Sequence, residues 1–250
     1  MMSSRILPVT FFATALFLAS CGGGEQKAKT DTNGDTTAAT AATPAAPAEV
    51  VAPSTIVTTP QNMMQVRHKV GNFAKFIAGY ESHDSLRLAS GIHSYVIGRG
   101  VQDSNMVLVA TKADDMEKAK AFGKSAALKD AMKKVGVTGS PSIKYTIMIF
   151  QDTGVISSDL RSMTTFSVKD WDAWQNGFKE GKQERIDNGI VDRAYGHDAD
   201  DNKKVTLVTA IMDTAKASAY WKSDMLKKRR EASGVIGVPE RFIFRVVKRY

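Results

Sequence analysis

From residue 62 onward the apolar positions keep two rhythms in turn. Met64–Val70 alternates apolar and polar residues, the period of a strand with one buried face. Phe73, Phe76 and Tyr80 then follow at i, i+3 and i+7, one stripe of a helix packed on a sheet, with Asn72 placed to cap it. That helix is expected to end near Gly91, a residue suited to a C-terminal turn. Ile92–Arg99 returns to a strand, Val101–Asn105 is a turn rich in Asp, Ser and Asn, and Met106–Lys112 completes a hairpin. A second helix is expected over Asp115–Gly123, with a short extension over Ala126–Val135 closed by Gly136. A last strand is expected over Ile143–Phe150.

The whole pattern then recurs. With Gly91 laid on Gly189, Arg87 falls on Arg185, Gly98 on Gly196, Asp103 on Asp201 and Val107 on Val205. The closing run Gly136-Val137-Thr138-Gly139-Ser140-Pro141 falls on Gly234-Val235-Ile236-Gly237-Val238-Pro239. Aromatic positions agree in kind: Phe73 with Trp171, Phe76 with Trp174, Tyr80 with Phe178, Phe122 with Tyr220. Self-similarity at a fixed offset predicts a duplicated module. The order in each copy is β-α-β-β-α-β, the ferredoxin-like arrangement. The expected fold class is therefore α+β, with two ferredoxin-like βαββαβ modules in one chain, over 62–155 and 156–250.

The runs Val66-Arg67-His68-Lys69-Val70, Gly91-Ile92-x-Ser94-Tyr95 and Asp103-Ser104-Asn105-x-Val107 resemble the antibiotic-biosynthesis-monooxygenase-like modules of the dimeric α/β barrel superfamily. Ala119-x-Ala121-Phe122 and the closing Gly-Val-x-Gly-x-Pro carry the same likeness, which is stronger over 64–150 than over 160–250. The resemblance implies two sheets packed face to face into a barrel with helices outside. Two modules in one chain imply that the barrel closes within a monomer, as an intramolecular pseudo-dimer. The superfamily hosts oxygenases, haem degraders, isomerases and proteins with no known activity, so the fold alone names no reaction. Its haem degraders use an Asn/Trp/His set. That set is not matched, since the first module has no Trp and the second helix carries no His in either copy. No cofactor is expected.

The N-terminus carries an address rather than a fold. Arg5 precedes an apolar run, Ile6–Leu18, too short to span a bilayer as a mature helix. The run ends in Leu18-Ala19-Ser20-Cys21, which resembles the lipobox of bacterial lipoproteins, and Cys21 is the one cysteine of the chain. The resemblance implies a signal peptide over 1–20, acylation (palmitate among the chains) of Cys21 and attachment to a lipid bilayer, since two or more acyl chains anchor stably. Gly22, where an inner-membrane retention signal would commonly have Asp, favours the outer membrane. Residues 21–61 are rich in Ala, Thr, Pro and Gly and too poor in apolar bulk to offset chain entropy. They read as a disordered tether with a reach of roughly 35 Å by the square-root law for flexible chains.

Composition narrows the chemistry. Of 250 residues, 43% are apolar and 24% charged, as in globular proteins. One cysteine excludes an internal disulfide and any multi-thiolate metal site. There is no HExxH or phosphate-binding glycine loop, and Lys203 and Thr209 spoil the calcium-loop likeness of Asp198–Asn202, so no metal is expected. The formal charge is +8, from 34 Lys and Arg against 26 Asp and Glu. A lipid-anchored protein does not ordinarily meet nucleic acid, and the densest basic run, Lys227-Lys228-Arg229-Arg230, reads as a solvated helix face. If Ile92 and Val96 face the helices, regular alternation sends His93, Tyr95 and Arg99 into the barrel, with Arg193, Tyr195 and His197 arriving from the second copy. His68 lies in phase with Met64, Val66 and Val70, and Phe166 replaces it in the second copy. His83 is expected at the surface. These candidates suit a small apolar or aromatic ligand oriented by a few polar groups. A cofactor-independent monooxygenase or isomerase, or a structural protein with a filled barrel, are the alternatives.

Overall fold

Each half of the chain starts with a capped helix leaving a strand. In a computed structural model that describes residues 54–250, Asn72 Oδ1 accepts from the backbone N–H of Lys75 at 2.9 Å and Asp170 Oδ1 from that of Ala173 at 2.7 Å. These bonds satisfy N–H groups that the first helical turn leaves free. The first half comprises β1 (Ile56–Val57), β2 (Gln61–Val70), α1 (Phe73–Ser82), α2 (Asp84–Leu88), β3 (Ile92–Gly100), β4 (Met106–Ala113), α3 (Met116–Lys124), α4 (Ala126–Lys134) and β5 (Val137–Asp152). The second comprises β6 (Leu160–Val168), α5 (Trp171–Glu180), α6 (Lys182–Asp187), β7 (Ile190–Asp198), β8 (Lys204–Ile211), α7 (Thr214–Trp221), α8 (Asp224–Ala232) and β9 (Val235–Arg249). Cys21, the signal peptide and the tether up to residue 53 lie outside the described residues.

All strand pairs are antiparallel, in the order β1-β5-β2-β4-β3-β9-β6-β8-β7, and β5 also pairs with β7. The sheet therefore closes on itself, through β3 with β9 and β5 with β7. One face of the first half packs on its helices, where Ile92, Ile97 and Val107 meet Phe76, Tyr80 and Phe122. In the second half Val168 and Val205 meet Trp174 and Phe178, and Ile190 and Ile211 meet Tyr220. The inner face joins the halves, with Leu108 packed against Met163 and Phe244. Each such side chain stabilises the fold by roughly 1.5–3 kcal/mol on leaving water.

Three features depart from the sequence pattern. The first helix breaks at His83, and the matched Arg87 and Arg185 secure the break. Arg87 Nη1 donates to the Tyr80 carbonyl at 2.6 Å and Arg185 Nη1 to that of Phe178 at 2.8 Å, carbonyls freed where the helix ends. Each guanidinium also lies over the ring of that residue, at 3.7 and 3.6 Å. The last strand of each half begins at Val137 or Val235, ahead of the expected Ile143 for the first. Gly139 and Gly237, at φ +69° and +70°, put a bulge into it, and Pro141 and Pro239 follow where a missing N–H is tolerated. Finally, Ile56–Val57 pairs with Gln151 and Asp152, so ordered structure begins before residue 61.

The two closing seams depend on a matched glycine pair. A methyl on Gly196 would overlap the β5 backbone at Ile147 and Met148, whereas one on Gly98 would meet the Phe244 ring. Backbone cannot yield as a side chain can. Gly196→Ala is expected to cost about 3 kcal/mol or more and Gly98→Ala about 1–2 kcal/mol, by the usual penalties for overfilling a packed site. Denaturant melts of the two variants measure the difference, and equal destabilisation would contradict the seam geometry.

Candidate functional site

Among the described residues, three of the cavities follow from the architecture. Two lie between helices and sheet, one in each half, and the third lies inside the closed sheet. The first-half cavity, about 60 Å³, is walled by Met64, Val66, Phe76, Ile92 and Phe122. Its polar groups are few. His68 is only 4% exposed, its ring stands 5.1 Å from that of Phe76, and neither Nδ1 nor Nε2 has a hydrogen-bond partner. Nε of Arg87, also on this wall, is buried without an acceptor. Burial holds the His68 imidazole down to about 4, so it is neutral at physiological pH. His83 is half-buried rather than superficial. It bonds the Gly79 carbonyl through Nδ1 at 2.6 Å and lines the same cavity.

The second-half cavity, about 80 Å³, has a different character. Phe166 occupies the place of His68 and packs on Trp174 at 5.5 Å. The run 227–230 is only partly a solvated face. Lys227 and Lys228 are exposed, but Arg229 binds Glu184 through Nε at 2.9 Å, and Arg230 lines the cavity.

The strand face expected from regular alternation is interrupted in both halves. A bulge falls between Ser94 and Val96 and another between Asp192 and Ala194, so Tyr95 and Arg193 are the extra residues. An extra residue reverses the phase beyond it. Tyr95 with Val96, and Arg193 with Ala194, line the cavity inside the sheet. Past the bulges, Ile97 and Tyr195 turn to the helices instead, Tyr195 packing on Phe150 at 5.2 Å and edge-on against Trp174 and Phe178. Arg99 lies over the Phe73 ring at 4.6 Å, and His197 meets the Trp171 ring edge-on at 4.9 Å. His93 stays at an exposed rim, with Nε2 2.9 Å from Asp114. Of the six residues expected to converge, the structure brings Tyr95 and Arg193 together in one cavity and disperses the rest. Among the described residues no cluster of His, Cys, Asp or Glu could hold a metal ion.

The buried imidazole has a measurable signature. His68 binds a proton less readily folded, near 4, than unfolded, near 6.5. Stability is therefore full above pH 6.5, falls as pH drops toward 4, and levels off below. The loss attributable to this group is on the order of 3 kcal/mol. His68→Phe, which copies the second half, should remove that part of the acid sensitivity. Urea melts between pH 4 and 7.5 test it, and identical slopes for both proteins would contradict it.

Comparison with solved structures places the fold. An anthrone oxidase-like protein aligns with a TM-score of 0.53 at 15% identity, over 77% of this chain and 94% of that one. Candidate monooxygenases of Fusobacterium nucleatum and Lactobacillus acidophilus align with TM-scores of 0.51 and 0.50, both at 12% identity. These cover 76% and 75% of this chain, and 93% and 94% of theirs. No protein-family model and no curated protein matches the chain. At such identities the likeness is one of fold, and the chain has the α+β barrel fold of monooxygenase-like proteins, built on a large antiparallel sheet.

Proposed function

We propose that the chain is a lipid-anchored protein of a bacterial cell envelope. In this reading two ferredoxin-like modules, 62–155 and 156–250, arose by duplication, pair within a monomer, and bind a small apolar or aromatic ligand in the first helix–sheet cavity. One observation carries the reading. A nine-tenths-buried imidazole has both ring nitrogens unpartnered in a largely apolar pocket. Buried polar groups left unpaired cost free energy, and a ligand that hydrogen-bonds them recovers it. The second half supports the point, because Phe166 fills the matched position with no polar group at all.

A binding role fits the imidazole better than a catalytic one. A cofactor-independent oxygenase would draw a phenolic proton onto His68. A base held near 4 is poorly matched to a phenol, whereas a neutral imidazole accepts or donates a hydrogen bond readily. The envelope address rests on Leu18-Ala19-Ser20-Cys21 and the outer membrane on Gly22. No helix among the described residues is long and apolar enough to cross a membrane. Membrane attachment in this reading falls to acylated Cys21, with the tether holding the barrel clear of the headgroups.

Two measurements test these assignments. Native mass spectrometry of the full chain from its own host should show a retained small molecule that His68→Phe loses, with affinity falling about tenfold or more for the lost hydrogen bond. A wild-type protein that carries nothing, or a variant that retains the ligand, contradicts the site. Cys21→Ala should leave an uncleaved precursor or release the protein from membranes. Processing and detergent partitioning unchanged from wild type would contradict the anchor.

A further inference from the structure

The inside of the closed sheet holds more positive charge than its own carboxylates can balance. Arg161, on β6, is 4% exposed. Its Nη1 donates to the carbonyls of Ser158 at 2.8 Å and Leu160 at 2.9 Å, and it makes no ion pair with a described carboxylate. The adjacent Asp159 is engaged by Arg245 at 2.6 Å. Arg249, near the end of β9, lines the same cavity and likewise has no ion pair among the described residues. Arg193 completes the group and is the one with a counter-ion, Asp152 at 3.0 Å. Burial first, and then the charges of Arg249 and Arg193, lower the Arg161 pKa to about 10, which still leaves it protonated at neutral pH.

The first half builds the matched positions without these cations. At the offset that lays Gly91 on Gly189, Arg161 falls on Met63, Arg193 on Tyr95 and Arg249 on Gln151. Those three neutral residues line the same cavity from the first half. The same positions are thus built once without charge and once with a guanidinium each. An uncompensated buried cation persists at a cost, and an external anion is what would relieve it.

A second observation points to a guest. Gln151 and Gln65 are 2% and 4% exposed, line this cavity, and each has an unpartnered amide oxygen. Gln65 uses its amide nitrogen on Thr146 Oγ1 at 3.2 Å. The remaining wall is apolar, with Met63, Met148 and Met163 prominent. The cavity is about 80 Å³, and a wider groove of about 350 Å³ outside it shares Arg161 and Arg249. Anion-binding side chains therefore stand at the opening, apolar surface lies within, and two acceptors await a donor.

We propose that this end of the barrel binds a small hydroxy-carboxylate, its carboxylate between Arg161 and Arg249, its short apolar body against the methionines, and its hydroxyl donating to a glutamine oxygen. Arginine suits the first role because its planar fork matches a carboxylate. The site is separate from the His68 cavity and does not rest on it.

The test uses the full chain with methyl-labelled methionine and 6-hydroxyhexanoate as the probe, with 1,6-hexanediol and inorganic phosphate as comparisons. Saturable shifts of the Met63, Met148 and Met163 methyls are expected with 6-hydroxyhexanoate. The diol, which lacks the anion, and phosphate, which lacks the body, should each bind at least about tenfold more weakly. Arg161→Met copies the first-half residue and should weaken 6-hydroxyhexanoate by tenfold or more while keeping the melting temperature at or above wild type. Should that variant fail to fold, Arg249→Gln, at an exposed position whose counterpart is Gln151, carries the same expectation. Absence of saturation, phosphate binding as tightly as the probe, unchanged affinity in a folded variant, or shifts confined to Met64 in the His68 cavity would each overturn the proposal.

Discussion

A sheet with helices on one face must still bury the other, and here that requirement is met by strand pairing across the two halves. β3 joins β9 and β5 joins β7, so no long edge is left open and the inner faces share one interior. The rest follows from that closure. The long strands β5 and β9 must reach across from their own half, and where they do so the register shifts between Met148 and Phe150 in β5 and between Val246 and Lys248 in β9. At the seams Gly98 and Gly196 let neighbouring strands approach where a side chain would not fit. Leu108, Met163 and Phe244 then pack across the interior, from opposite halves.

Closure also explains why the elements were legible in the sequence while the site was only partly so. The aromatic stripes and caps are local signals: Asn72 and Asp170 cap the helices their spacing implies, and Asp115, read as the first residue of the next helix, caps it from one position outside. His68 shares a face with Met64 and Val66 because β2 keeps its alternation on that face. Arg99, Tyr195 and His197 defeat the same argument because a bulge adds one residue upstream of each. Nothing in the composition of Ser94-Tyr95-Val96 or Asp192-Arg193-Ala194 announces it. The bulge is a property of two strands in register, and a single strand's pattern does not contain its partner. His83 was misplaced for a related reason, since the helix break at that residue depends on Arg87 reaching back to the Tyr80 carbonyl.

Arg161 and Arg249 escaped the sequence reading for a further reason. Their significance lies in what does not surround them, and an absent counter-ion is visible only once the neighbours are placed. The paired halves supply the means of seeing it. Arg87 and Arg185 match and do the same backbone work, so charge kept in both halves is structural. His68 against Phe166, Met63 against Arg161 and Tyr95 against Arg193 differ at positions that fold alike. A position that is apolar in one half and polar in the other is not held polar by the packing that the two halves share.

That contrast separates the cavities by chemistry. In the first helix–sheet cavity, one neutral imidazole and one guanidinium nitrogen stand among apolar side chains, which on the proposed reading suits a guest with little charge. Inside the barrel the imbalance is one of full charge, the buried Arg161 and Arg193 against the single carboxylate of Asp152, with Arg249 exposed at the opening. Coulomb interactions at the buried Arg161 are less screened than at the surface, so an anion gains more there than it would between two exposed arginines. An apolar molecule entering the barrel would leave the repulsion between arginines untouched. An anion without an apolar body would leave the methionine wall facing water. On the proposed readings the two cavities take different guests, one between helices and sheet and one inside the closed sheet, and the matched positions of the halves are where that difference is written.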